Sequence, residues 1–213
     1  MTFANRNQAA DRLAVALQAY KGINPLILAI PRGAVPMGQR LARALGGELD
    51  VVLVRKLRAP FNPEFALGSI DESGWTYIAD YAESAGGTSA YLQQEKQAQL
   101  DTIRKRRAQY TPLRPPIDPA GRIVIVVDDG LATGATMISA LHALRAQKPA
   151  RLICAVPVAP ADTLEKIRGY ADEVVCLQAP MFFQAVGQFY ADFPQVDDSD
   201  VIDILKQAGH AKG

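Results

Sequence analysis

Two hydrophobic rhythms alternate along the chain. Short blocks in which nearly every residue is apolar are LILAI (26–30), DVVLV (50–54), RIVIVV (122–127), RLICAVPV (151–158) and EVVCL (173–177). Each has strand length and strand composition. Between them lie segments with helical spacing. Leu13, Ala16, Leu17 and Tyr20 recur at helical intervals over residues 6–19, and further helices are predicted over 34–45, 134–147, 160–169 and 197–208. Gly46-Gly47 is a stop signal for the second of these. FALGSIDESGWTYIAD (65–80) reads as two strand pieces around a Ser73-Gly74 turn. Residues 88–110 read as a long polar helix, and Pro112, Pro115, Pro116 and Pro119 prevent its continuation. Strands alternating with helices, several of them apolar throughout, predict an α/β fold: a parallel sheet with helices on both faces. The length of 213 residues suits a single domain.

In an open parallel sheet, ligands bind beyond the carboxyl ends of the strands. The residues placed there by this reading are Pro31-Arg32-Gly33, Arg55-Lys56, Asp128-Asp129-Gly130 and the segment after Leu177, which carries Phe182 and Phe183. Two sets are basic, one is acidic and glycine-bearing, and one is aromatic. The third continues as Gly130-Leu131-Ala132-Thr133-Gly134-Ala135-Thr136 into a helix. Glycines allow a tight turn, and the unpaired N–H groups of a helix start attract phosphate. Thr133 and Thr136 add hydroxyl donors. Asp128 and Asp129 would repel a phosphate but suit neighbouring hydroxyls, so the ligand read from this string is a ribose 5-phosphate. Phe182 and Phe183 offer an aromatic face to a planar acceptor. Other phosphate motifs fail. Gly134 is followed by Ala135 and Gly38 by Gln39, so neither opens a Walker loop, and no GxGxxG pattern opens the first helix.

Composition changes this picture little. A formal net charge of +1 gives no global field toward nucleic acid or an anionic membrane. Cys154 and Cys176 sit in apolar runs and read as buried structural residues. The beginning of the chain lacks the apolar block of a signal peptide, and no stretch is long enough to span a bilayer, so a cytoplasmic location is expected. His142 and His210 are both poorly placed for catalysis.

The string VVDDGLATGAT (126–136) resembles the phosphoribosyl diphosphate (PRPP) signature of type I phosphoribosyltransferases. AIPRGAVPMG (29–38) resembles their pyrophosphate loop. VLVRKLRAPFNPEFALGSI and FFQAVGQFYADF resemble a bacterial subgroup whose acceptor is not generally established. The resemblance implies that Asp128 and Asp129 hold the ribose hydroxyls and Gly130 to Thr136 the 5-phosphate. Arg32, Gly33, Arg55 and Lys56 would bind pyrophosphate. It also implies Mg²⁺, with the two aspartates acting on it through water rather than as direct ligands. The reaction would displace pyrophosphate from C1 of PRPP by a small-molecule nitrogen acceptor, with Phe182 and Phe183 as acceptor contacts. A homo-oligomer, most simply a dimer, and a small hood over about 178–195 are expected. A water-excluding lid is assigned to about 104–120, with Arg106 or Arg107 swinging onto pyrophosphate. Members acting on 6-oxopurines carry an aspartate where this chain has Ala132, which disfavours hypoxanthine or guanine. Arginine often follows the lid tyrosine in related sequences, but Thr111 follows Tyr110 here, leaving Arg114 as the compensating candidate. The rival reading is a PRPP-sensing regulator without catalysis. It would be expected to add a nucleic-acid-binding segment, for which the chain has little spare length.

Overall fold

The computed structural model describes residues 2–63 and 65–210, with the side chain of His210 outside the described set. Helix α1 (Arg6–Ala16) leads to β1 (Leu26–Ala29), α2 (Val35–Leu45) and β2 (Glu48–Val51). A second group follows: β3 (Val54–Arg58), β4 (Ala66–Asp71), β5 (Thr76–Ile78) and the long α3 (Ser89–Tyr110). The chain then runs through β6 (Ile123–Val127), α4 (Ala135–Ala146), β7 (Arg151–Val158), α5 (Ala161–Ile167), β8 (Glu173–Gln178) and α6 (Asp198–His210). The main sheet is parallel throughout, in the order β2-β1-β6-β7-β8.

Its central strands are apolar along their buried lengths, the exposed Arg151 at the start of β7 apart, because both faces are covered. Ile27, Ala29, Ile125, Val127, Ile153 and Ala155 point into one core with Leu13, Leu41 and Leu205 of α1, α2 and α6. Their neighbours Leu28, Val124, Val126, Leu152 and Cys154 point into the opposite core with Met137, Leu141 and Ile167 of α4 and α5. Successive side chains of a strand face opposite ways, so one sequence feeds two cores. Cys154 is buried and Cys176 half-buried, both as free thiols, and burial pushes the thiol of each upward, away from reactivity. His142 stacks on Trp75 with ring centroids 3.6 Å apart, on the α4 face and outside the cleft described below.

DVVLV is not one strand. β2 ends at Val51 and β3 begins at Val54, with buried Val52 and Leu53 carrying the chain from the parallel sheet into a separate antiparallel sheet of order β3-β4-β5. The reason lies just beyond the apolar run. Arg55, Lys56 and Arg58 cannot enter a sheet covered on both faces, whereas an antiparallel sheet leaves a side for them. A register shift between Leu57 and Arg58 accompanies the turn of both arginines toward α3. There Gln99 Oε1 accepts from Arg55 Nε at 2.9 Å, and Glu95 Oε1 accepts from the Arg58 backbone and Nε at 3.0 and 3.1 Å. The polar α3 is thus a bracket for β3. The second sheet is also pinned to the start of α4, because Ser69 Oγ donates to the Ala135 carbonyl and meets Ser139 Oγ, both at 2.6 Å.

Candidate active site

β6 is paired on both sides, so its end is fixed and Asp128 and Asp129 leave it at a set height above the sheet. The loop that follows is anchored from below. Leu131 is buried and its N–H donates to the Val158 carbonyl at 2.9 Å, while Thr163 Oγ1 donates to the Ala132 carbonyl at 2.7 Å. Gly134 then takes the left-handed region with φ 77°, a conformation open to glycine at no steric cost. Gly134 has no side chain to cap α4; Thr133 Oγ1 accepts from the Ala135 N–H at a long 3.4 Å, and the later N–H groups of the first turn are open to an anionic ligand.

The facing wall is basic. Arg32 lies between β1 and α2, next to Gly33, and the Pro31–Arg32 peptide is cis. A Cβ on Gly33 would collide with Asp129 Oδ2, so only glycine lets this loop close onto the acid. Arg55 is crowded by like charge: burial first, then Arg106, Arg58 and Arg32, lower its affinity for its proton. Asp198, at the start of α6, partly neutralises the group. Its oxygens lie 3.5 Å from Arg32 Nη1 and 3.8 Å from Arg106 Nε.

Acidic and basic walls enclose one cleft of about 530 Å³. Arg32, Gly33, Arg55, Lys56, Asp128, Asp129 and the loop residues Gly130, Leu131, Ala132, Thr133, Gly134 and Thr136 all line it. Ala135 is buried just behind the loop. Burial, and then the charge of Asp129, push the Asp128 carboxyl well above the usual range, with Lys56 and Arg6 pulling the other way. Asp129 is also raised by burial, with Arg6 as the main opposing influence.

Other expected residues fall elsewhere. Arg106 does not line the cleft; it pairs with Asp198 and acts on Arg55 through its charge. Arg107 turns away and pairs with Glu72, its Nε 2.8 Å from Glu72 Oε1. Of residues 104–120, none lines the cleft among the described residues; Tyr110 and Arg114 are buried, and Arg114 Nε donates to the Leu49 carbonyl at 3.2 Å. Buried Tyr110 and Arg114 anchor this segment to the body of the protein. The proline-bounded turn after β3 is the one that overhangs the site, with Arg58 and Pro63 in the cleft wall and Phe61 93% exposed. Phe182 is 82% exposed and borders no described cavity. Phe183 lines a second cavity of about 590 Å³ with Tyr77, Tyr81 and Met181, which meets the cleft at Ala132 and Thr133.

Sequence reasoning missed Arg6, Arg58 and Val186, and the role of Tyr190 toward Asp129. Val186 lines the cleft, and Tyr190 Oη donates to the Asp129 carbonyl at 2.6 Å. Arg6 pairs with the Asp129 carboxylate at 2.8 Å. Arg58 carried a visible signal as the third cation of VRKLR; Arg6, 123 positions from its partner, carried none.

A parallel sheet, a helix start without a side-chain cap from Gly134, paired acids at the strand end and a cationic wall together define an α/β protein with a mixed-charge cleft at the carboxyl ends of its strands. The chain belongs to the phosphoribosyl transferase domain family, whose model matches residues 3–194. It is 39% identical over 209 residues to the Mycobacterium tuberculosis protein named "Putative phosphoribosyl transferase Rv0571c". That match covers 97% of this chain and 47% of the mycobacterial protein, so the chain spans about half the length of the curated relative. The crystal structure of TT1426 from Thermus thermophilus is similar over 97% of this chain and 99% of that one, with 45% identity and a TM-score of 0.80.

Proposed function

We propose that the protein transfers ribose 5-phosphate from PRPP to a nitrogenous base or amine, releasing pyrophosphate. The observation that carries this reading is the meeting, in one cleft, of an open helix start, an acid pair and a cationic wall contributed by Arg32, Arg55, Lys56 and Arg58. Each matches one part of PRPP: the 5-phosphate, the ribose diol and the pyrophosphate. In the reaction the C1–O bond breaks with its electron pair leaving on pyrophosphate, the acceptor nitrogen's lone pair forms the C1–N bond, and the proton this nitrogen loses passes to the released pyrophosphate or to water. Charge develops on the departing oxygen, where fixed cations are most effective. The acid pair holds the sugar rim while C1 gains oxocarbenium character.

No group of three or more His, Cys, Asp or Glu side chains could hold a metal among the described residues. Two carboxylates facing a phosphate cleft do fit Mg²⁺ that keeps its waters and arrives with the substrate's oxygens. When bound, the ion would supply further charge neutralisation for pyrophosphate. Asp128 and Asp129 would hold it through water. Ala132 is exposed and offers no acid to a purine ring, which favours an acceptor other than a 6-oxopurine. Phe183 rather than Phe182 supports an acceptor contact, because it borders the cavity adjoining the phosphate loop.

The test is pyrophosphate release from PRPP and Mg²⁺ across a panel of bases and amines. Release that depends on one acceptor is expected. Tight PRPP binding without release for any acceptor would contradict catalysis and point to a sensor.

A further inference from the structure

The two aspartates of the cleft are not equivalent, and the difference originates at the far end of the chain. Asn5 caps α1, its Oδ1 accepting from the Gln8 N–H at 3.1 Å, and so sets Arg6 as the first residue of the helix. From there the Arg6 guanidinium donates from Nε to Asp129 Oδ2 at 2.9 Å, with Nη2 2.8 Å from the same oxygen. Nη1 donates to the Pro194 carbonyl at 2.6 Å, and the guanidinium carbon lies 3.8 Å from the centre of the Phe193 ring. Both partners are largely withdrawn from water, with side-chain exposures of 11% and 15%. The segments that carry these contacts are joined by backbone: Phe3 N–H donates to the Phe189 carbonyl and Ala191 N–H to the Phe3 carbonyl, each at 2.8 Å. Asp128 makes no ion pair among the described residues, and its Oδ1 accepts from the Asp129 N–H at 2.9 Å.

We propose that Arg6 is a positioning residue for the ribose site: it locks Oδ2 of Asp129 and so presents Oδ1 to the sugar hydroxyls. Arg6 itself is outside the cleft lining, so it acts through Asp129 rather than on the ligand. Arg6 is the cation in direct contact with Asp129. The inference rests on the PRPP reading above.

Binding of ribose 5-phosphate and of inorganic pyrophosphate to the intact protein, measured by calorimetry, separates the possibilities. Arg6→Gln is expected to weaken ribose 5-phosphate by about 10-fold, the scale of a lost charge-assisted hydrogen bond. Pyrophosphate should change by no more than about two-fold, because its cations are elsewhere. Arg6→Lys keeps the charge without the fork and should show a smaller loss, which keeps the test decisive should the glutamine variant fold poorly. In an Asp129→Asn background, Arg6→Gln should add less than about two-fold, the signature of acting through that residue. Equal losses for both ligands, or a full additional loss in the Asp129→Asn background, would overturn the positioning role. If Arg6→Gln binds like wild type, the role fails while the PRPP reading stands; a wild-type protein that binds neither ribose 5-phosphate nor PRPP removes both.

Discussion

The two walls of the cleft are built in different ways. The acidic and phosphate-facing wall is a continuous stretch, Asp128 to Thr136, hung between a strand paired on both sides and the helix it feeds. The basic wall is assembled from distant pieces. Arg32 comes from the turn after β1, and Arg55, Lys56 and Arg58 come from a separate antiparallel sheet bracketed by α3. Asp198 of α6 joins Arg32 to Arg106. A local wall can be rigid because the sheet sets it. An assembled wall gathers like charges that repel one another, and it needs carboxylates and amides from neighbouring elements to stay together. Gly33 is the seam, where the basic loop rests against Asp129.

The largest effect should come from breaking the local wall. Asp128→Asn combined with Asp129→Asn is expected to lower acceptor-dependent pyrophosphate release by at least about 100-fold, as loss of preorganised groups at a reacting sugar commonly does. Breaking the assembled wall should be milder and selective. Arg32→Ala should weaken PRPP binding by about 10-fold, the loss of one charge-assisted contact, with ribose 5-phosphate changed by about two-fold or less. Equal losses for the two ligands would remove the distinction between the walls. Asp198→Asn should act in the opposite direction. It frees Arg32 and Arg106 from a partly exposed carboxylate and is expected to tighten inorganic pyrophosphate by about three-fold, in line with the modest worth of exposed ion pairs.

The smallest effect is on stability, and its sign follows from linkage. Burial and the neighbouring Asp129 raise the Asp128 carboxyl in the folded protein. The folded state therefore binds this proton more tightly than the unfolded chain. Between the unfolded and folded values, stability falls as pH rises, and above both the full penalty is present. Asp128→Asn removes the charge and keeps an oxygen for the Asp129 N–H. Its Tm should exceed that of wild type at pH 8, with the gap narrowing toward pH 4. A lower Tm across that range would show that the acid is not held at a cost.

What could be read from the sequence follows the same division. The five apolar blocks pointed to the parallel sheet because a doubly covered strand has no polar positions. The string from Asp128 to Thr136 was legible as a site because strand, turn and helix start are contiguous. DVVLV misled because an apolar run does not reveal which sheet each residue joins; the charges at 55, 56 and 58 were the clue to the break. The lid was assigned to the arginine cluster that precedes Tyr110 and the segment that follows it, and the sequence did not reveal that Tyr110 and Arg114 are interior residues. Arginines that pair with buried carbonyls and acids look the same in sequence as arginines that wait for a ligand. Arg6 could not be found at all by pattern, since its partner lies 123 positions away.

The central claim is that the loop grips the 5-phosphate while the two walls divide the rest of PRPP between them. A crystal structure of the protein with PRPP and Mg²⁺ tests it most directly. The account predicts the 5-phosphate on the backbone N–H groups of residues 133–136, the ribose hydroxyls against Asp128 and Asp129, and the pyrophosphate beside Arg32, Arg55, Lys56 and Arg58. PRPP bound in reverse, with pyrophosphate in the loop, or bound outside this cleft, would contradict it.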